Sequence, residues 1–154
     1  MSESDVNYNP VAKIKVIGVG GGGNNSVETL LDTKLDGLEF IVVNTDKQAL
    51  AKFKTEQTLH IGDQRGIGAG ANPVVGKQAA ESSAGEIKNR LKGTDLVVIT
   101  AGMGGGTGTG ASPVIAKIAK ENGAMVIAIV TTPFKFEGKR RMTAALQGIG
   151  EIKK

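Results

Sequence analysis

Residues 95–101 read Asp-Leu-Val-Val-Ile-Thr-Ala, apolar at consecutive positions where a half-exposed strand would alternate. A strand of this kind needs cover on both faces, which is the condition of a parallel sheet flanked by helices. Residues 13–19, 40–43 and 125–130 have the same character, and residues 58–61 form a brief fifth candidate. Residues 125–130 are expected to be a buried strand.

Between these runs the period changes from none to 3.6. Residues 24–35 place Val27, Leu30, Leu31 and Leu35 on one helical face. A short helix is expected over 47–53. Asn72-Pro73 is a good N-cap and first-turn pair for a helix running to about residue 91. Ser112-Pro113 opens another to Glu121, closed by Asn122-Gly123. Residues 138–154 form a last amphipathic helix, with Met142, Ala145, Leu146, Ile149 and Ile152 as an apolar stripe expected to cover the sheet. Alternating strands and helices, joined by right-handed crossovers, give an α/β fold. The expected form is a doubly wound, mostly parallel, Rossmann-like sheet of order 3-2-1-4-5. Ligands of such sheets sit beyond the carboxyl ends of the strands, where the chain reverses direction between strands 1 and 4.

The glycines fall at that place. The chain has 23, and 5 lie in residues 18–23, 5 in 62–76 and 6 in 102–110. Three patches imply three loops where backbone approaches something closely. The first loop, Gly18-Val19-Gly20-Gly21-Gly22-Gly23-Asn24-Asn25, runs into a helix. So does Gly102-Met103-Gly104-Gly105-Gly106-Thr107-Gly108-Thr109-Gly110, in which the threonines add hydroxyl donors. Free amides at helix N-termini bind phosphate. Neither loop holds a Lys or Arg, so the Gly-Lys-Ser/Thr phosphate loop is excluded. The charge of a polyphosphate would be offset by Mg²⁺ and two convergent helix dipoles. Gly18, Gly20 and Gly23 also satisfy the dinucleotide pattern, with Asp46 beyond the second strand as the ribose acid. That pattern needs one glycine turn and leaves 104–110 unexplained, whereas two facing loops suit a longer phosphate chain.

Composition closes other routes. There is no cysteine and one histidine, His60, which removes disulfide scaffolds, Cys-based metal sites and a His-dependent triad. Aromatics are 3%, few platforms for base stacking, and the net charge of +4 resides in residues 135–154. No nucleic-acid partner is therefore expected. No run reaches the ~18 apolar residues of a membrane span, so direct membrane insertion is not expected and the default location is cytoplasmic. His60 reads as an ordinary strand-end residue.

The motif set resembles one family. Residues 20–25 followed by Ser-Val, Asn44-Thr45-Asp46, Gly68-Ala69-Gly70-Ala71-Asn72-Pro73, the run 104–110, Thr132-Pro133-Phe134 and Phe136-Glu137-Gly138 are similar to the FtsZ family. These are bacterial cell-division GTPases related to tubulin, and the likeness covers residues 13 to about 150. It implies a GTP/GDP site with Mg²⁺. Gly20, Gly21, Gly22, Gly23, Asn24 and Asn25 would surround the phosphates, with Asn25 as the remaining base reader. Ala69, Gly70, Ala71 and Asn72 would lie near the γ-phosphate, and Gly104, Gly105, Gly106, Thr107, Gly108 and Thr109 would wrap the phosphates. Pro133 would belong to the nucleotide site, Glu137 and Arg141 would approach the ribose side, and Asp46 would reach the metal through water.

The resemblance also implies what is missing. Residues 1–12 are expected as a flexible tail and 13–154 as the nucleotide-binding domain, ending before the family's central helix and second domain. No catalytic residue is expected within this stretch. The complete protein would hydrolyse GTP and self-associate head to tail into the cell-division ring during septation. Membrane-tethering division proteins would bind a tail beyond this stretch. Alternatives are a nucleotide-binding fragment that caps or regulates filaments without hydrolysis, and an NAD-binding domain. The stripe on residues 138–154 could also make the chain dimeric or domain-swapped.

Overall fold

A computed structural model describes residues 12–33, 37–132 and 139–153. Its strands are β1 (Ile14–Val19), β2 (Leu38–Asn44), β3 (Thr58–His60), β4 (Leu96–Gly102) and β5 (Met125–Thr131). They form one sheet ordered β3-β2-β1-β4-β5, with every neighbouring pair parallel. The doubly wound order expected from the alternation is the observed one. The helices are α1 (Gly20–Asp32), α2 (Lys47–Leu50), α3 (Pro73–Ser82), α4 (Ala84–Arg90), α5 (Thr107–Glu121) and α6 (Lys139–Lys153). A short 3₁₀ turn, Thr55–Gln57, precedes β3. The expected N-terminal tail lies outside the described residues except for Ala12, and so does Leu35 of the first helical face.

Side-chain alternation divides the core. Val16, Phe40, Val42 and Val98 pack with Val27, Leu30 and Leu31 of α1 and with Leu50. Ile17, Ile41, Val43, Val97 and Ile99 meet Ala79, Ile87, Ile115 and Ala119 on the opposite face. Burying a side chain such as Ile17 or Ile99 contributes roughly 1.5–3 kcal/mol. Apolar residues at consecutive strand positions follow from this arrangement, since each face has its own helices.

Four expectations are corrected. β5 is not a buried strand: Met125, Ile127 and Ile129 are exposed, because β5 is an edge and their face lies beyond the reach of α1. The helix expected over 72–91 is divided at Ser83, whose backbone (φ −103, ψ 15) leaves the helical region while its hydroxyl accepts from Gly62 N–H at 3.1 Å. Helices α1 and α5 start four and five residues earlier than expected, so the glycine runs are partly the first turns of the helices, and Pro113 sits inside α5. Finally, α6 packs on α5 and its apolar stripe does not lie on the sheet; Ala145 is buried and Ile149 and Ile152 touch the core, but Leu146 is exposed.

Candidate functional site

The register levels the ends of the central strands. Val19 of β1 stands beside Val43 of β2 and Ala101 of β4. The chain then turns from Val19 into Gly20 and from Gly102 into the second glycine run. Gly20 has φ +74, and a Cβ there would lie 2.9 Å from Gly108 N. The two turns therefore touch, at the reversal point of the sheet.

A cleft of ≈ 510 Å³ opens where they meet. Gly20, Gly21 and Gly22 of the α1 first turn form one wall, and Gly105, Gly106, Thr107 and Gly108 form another. Ala69 and Ala71 close a third side, and Gly102, Met103, Thr131 and Thr132 form the floor beside β5. Among the described residues, none that lines the cleft carries a charge.

The helix ends explain what this cleft can do. The N-termini of α2 and α3 are closed by side chains: Asp46 Oδ1 accepts from Gln48 N–H at 2.9 Å, and Asn72 Oδ1 accepts from Val74 N–H at 3.0 Å. The N-termini of α1 and α5 have no side-chain cap. Their first-turn amides are left for solvent or a ligand, and both face the cleft. Two such ends converging on an uncharged hollow favour an anion.

Most glycines of the three patches do mark close backbone approach, and what they approach is other parts of the chain. A Cβ on Gly23 would collide with Thr100 O, one on Gly76 with Gly106 O, and one on Gly110 with Pro73 O. Gly106 leaves only 2.7 Å to Ala69 Cβ and 2.8 Å to Asn72 N. Of the glycines in the first turn, Gly21 alone has nothing within 4 Å of where its Cβ would be. Ala71 is the one described non-glycine residue at positive φ (+59), next to Gly70 at +59, which sets the tight bend of the third wall.

Several predicted residues play a different part. Asn24 is buried, and its amide donates to Gly18 O at 2.9 Å and to Val43 O at 3.2 Å, while its Oδ1 accepts from Asn44 Nδ2 at 2.9 Å. It clamps β1 to β2 and has no side-chain donor left for a ligand. Thr109 Oγ1 accepts from Gly104 N–H at 2.6 Å, so this hydroxyl shapes the turn from behind. The Thr107 hydroxyl pairs with that of Thr45 at 2.7 Å. Asn25 is exposed in an adjoining hollow with Gly21, Gln48 and Lys52. Gly23, Gly70 and Asn72 do not line the cleft, and neither does Asp46, which caps α2 and bridges to Ile67. Pro133 and Glu137 lie outside the described residues, as does the side chain of Arg141. In the β3–α3 connection Arg65 hydrogen-bonds Asp63 and holds that carboxyl below its usual range, so these charges serve each other. His60 is half-buried with Nε2 3.0 Å from Thr45 O, the ordinary role expected.

Met103, Thr132 and Thr45 stand in the quoted motifs without a site role, and Thr131 stands in none. The signal for Thr131 and Thr132 is the strand order: β5 adjoins β4, so its carboxyl end must border the same hollow.

Residues 13–154 match the family model of the Tubulin/FtsZ family, GTPase domain. The cell division protein FtsZ of Mycoplasmopsis pulmonis is 62% identical over 148 residues, which is 96% of this chain and 38% of that protein. The solved FtsZ dimer of M. jannaschii superposes with TM-score 0.90 at 43% identity, covering 99% of this chain and 47% of that one. The GTPγS-bound CetZ2 protofilament of Haloferax volcanii gives TM-score 0.79 at 27% identity, over 91% of this chain and 46% of that one. The chain thus spans less than half the length of these relatives. It belongs to the Tubulin/FtsZ family, and its paired glycine turns lie within that family's GTPase domain.

Proposed function

We propose that this chain is the nucleotide-binding part of a GTP-hydrolysing protein that polymerises head to tail in bacterial cell division. The observation that carries the reading is the pair of uncapped helix N-termini meeting across an uncharged cleft. The first-turn amides of α1 and α5 would receive the phosphates, and Ala69 and Ala71 would close over the terminal one. Relatives named as a cell division protein, an FtsZ dimer and a GTPγS-bound protofilament support guanine nucleotide and self-association. Mg²⁺ suits the donor set, because the described lining of the cleft holds no cation and leaves polyphosphate charge to be offset. Bound there, it would neutralise phosphate oxygens. Asp46 would reach it through water, since it does not line the cleft.

Among the described residues Gly, Ala, Met and Thr line the cleft, and none of these is a general base at neutral pH. Hydrolysis would need a water-positioning group from another subunit, as expected for head-to-tail contacts that propagate into filaments. Membrane-tethering division proteins, acting on parts of the whole protein outside this stretch, belong to the same proposal. Calorimetric titration with GTP, ATP and NAD, each with Mg²⁺, tests the reading. Binding of GTP or GDP with negligible turnover by the chain alone is expected. Preferential binding of NAD, or turnover of GTP that does not depend on protein concentration, would overturn it.

A further inference from the structure

Gly148 lies on α6, which packs on α5, and it presses on the back of the second glycine turn. A Cβ at Gly148 would stand 2.8 Å from Thr109 Cγ2, 2.9 Å from Met103 Cε and 3.1 Å from Thr109 O. Both neighbours belong to the cleft's architecture. Thr109 Oγ1 accepts from Gly104 N–H at 2.6 Å, which ties the start of the turn to the first turn of α5. Met103 lines the cleft, and its N–H donates to Thr131 O at 2.8 Å. The approach is possible because Gly148 has no side chain and because Pro113, four residues beyond Thr109 in α5, has no N–H to give the Thr109 carbonyl. The buried Ala145 and the core contacts of Ile149 and Ile152 hold α6 in this rotation.

We propose that Gly148 is a positioning residue for the phosphate-binding turn: it sets Thr109, and through Thr109 the Gly104–Gly108 backbone. The proposal rests on the nucleotide reading above. It makes α6 a lever on the site, since any shift of α6 along α5 moves the atoms that hold the turn.

The test is a double-mutant cycle on the 154-residue chain, titrated with GDP and with GTP, each with Mg²⁺. Gly148→Ala should weaken binding about tenfold, the scale of overpacking one methyl group. Gly150→Ala is the control: it is on the same helix, with nothing within 4 Å, and should leave affinity unchanged. Thr109→Ser removes the colliding Cγ2 and keeps the hydroxyl that accepts from Gly104. In the Thr109→Ser background, where Met103 Cε can rotate away and the 3.1 Å approach to the residue-109 carbonyl remains, Gly148→Ala should cost less than in the parent, about threefold. A merely structural glycine would show its penalty in the melting curve, with affinity of the folded chain intact and no rescue by serine. Equal affinity of Gly148→Ala and the parent chain, or an equal penalty in both backgrounds, overturns the proposal. If Gly148→Ala does not fold, folding and binding of the double variant support the proposal and its failure to fold overturns it. A parent chain that binds neither nucleotide overturns the functional reading itself.

Discussion

Gly20 and Gly108 meet backbone to backbone: a Cβ on Gly20 would stand 2.9 Å from Gly108 N, and Gly20 holds φ +74. One residue thereby couples the first turn of α1 to that of α5. Gly20→Ala meets both a left-handed backbone penalty of about 1–2 kcal/mol and a main-chain obstacle that cannot rotate away. It should lower stability by about 2 kcal/mol or more and abolish nucleotide binding in calorimetry. Gly21→Ala, one residue on and with open space around it, should melt within about 0.5 kcal/mol of the parent and affect binding only.

Asn24 stands in the first glycine turn but serves the sheet. Asn24→Ala removes the side-chain bonds to Gly18 O, Val43 O and Asn44 Nδ2. With about 1–3 kcal/mol for each strongly affected group, partly relieved by relaxation, the loss should be about 2–4 kcal/mol. Urea unfolding would measure it. A loss below about 1 kcal/mol would mean that water replaces the amide.

Ala71 carries φ +59 without being glycine. Ala71→Gly removes the side-chain clash with its own backbone and adds freedom to the unfolded chain, terms of opposite sign. Because the first is about 1–2 kcal/mol and the second about 0.5–1 kcal/mol, the variant should be more stable by about 0.5–1 kcal/mol. Its looser bend should weaken nucleotide binding, so thermal melting and calorimetry should move in opposite directions. Ala71→Val should destabilise.

The sequence Met125–Thr131 holds no charge and no proline, and it ends the described sheet. With Met125 at 69%, Ile127 at 46% and Ile129 at 60% exposure, the strand itself carries no charge or proline that would guard it against pairing with other strands. Ile127→Lys should reduce concentration-dependent light scattering while leaving the melting temperature nearly unchanged. A large drop in melting temperature would show that Ile127 contributes to the core after all.

The corrections above share a cause. Whether a glycine faces a ligand or another main chain depends on what the fold sets opposite it: Gly76 and Gly110 owe their small size to α3 and α5 crossing closely, and Gly21 to empty space. Local patterns could not separate these cases. Nor could they show that the helix expected over 72–91 breaks where Ser83 turns to meet Gly62, residues 21 apart in the chain. Proline suits a helix start, yet Pro113 is carried inside α5, where it gives no N–H to the Thr109 carbonyl that faces α6.

From the order of residues alone came the alternation of strand and helix, the 3-2-1-4-5 sheet and the placing of two glycine runs at its reversal point. Those depend on periodicity and chain connectivity, which are properties of neighbours along the backbone. The tertiary structure decided which amides stay uncapped, that Asn24 and Thr109 face inward, and that β5 keeps one face bare. Those depend on distances between segments far apart in sequence, set only when the helices have packed.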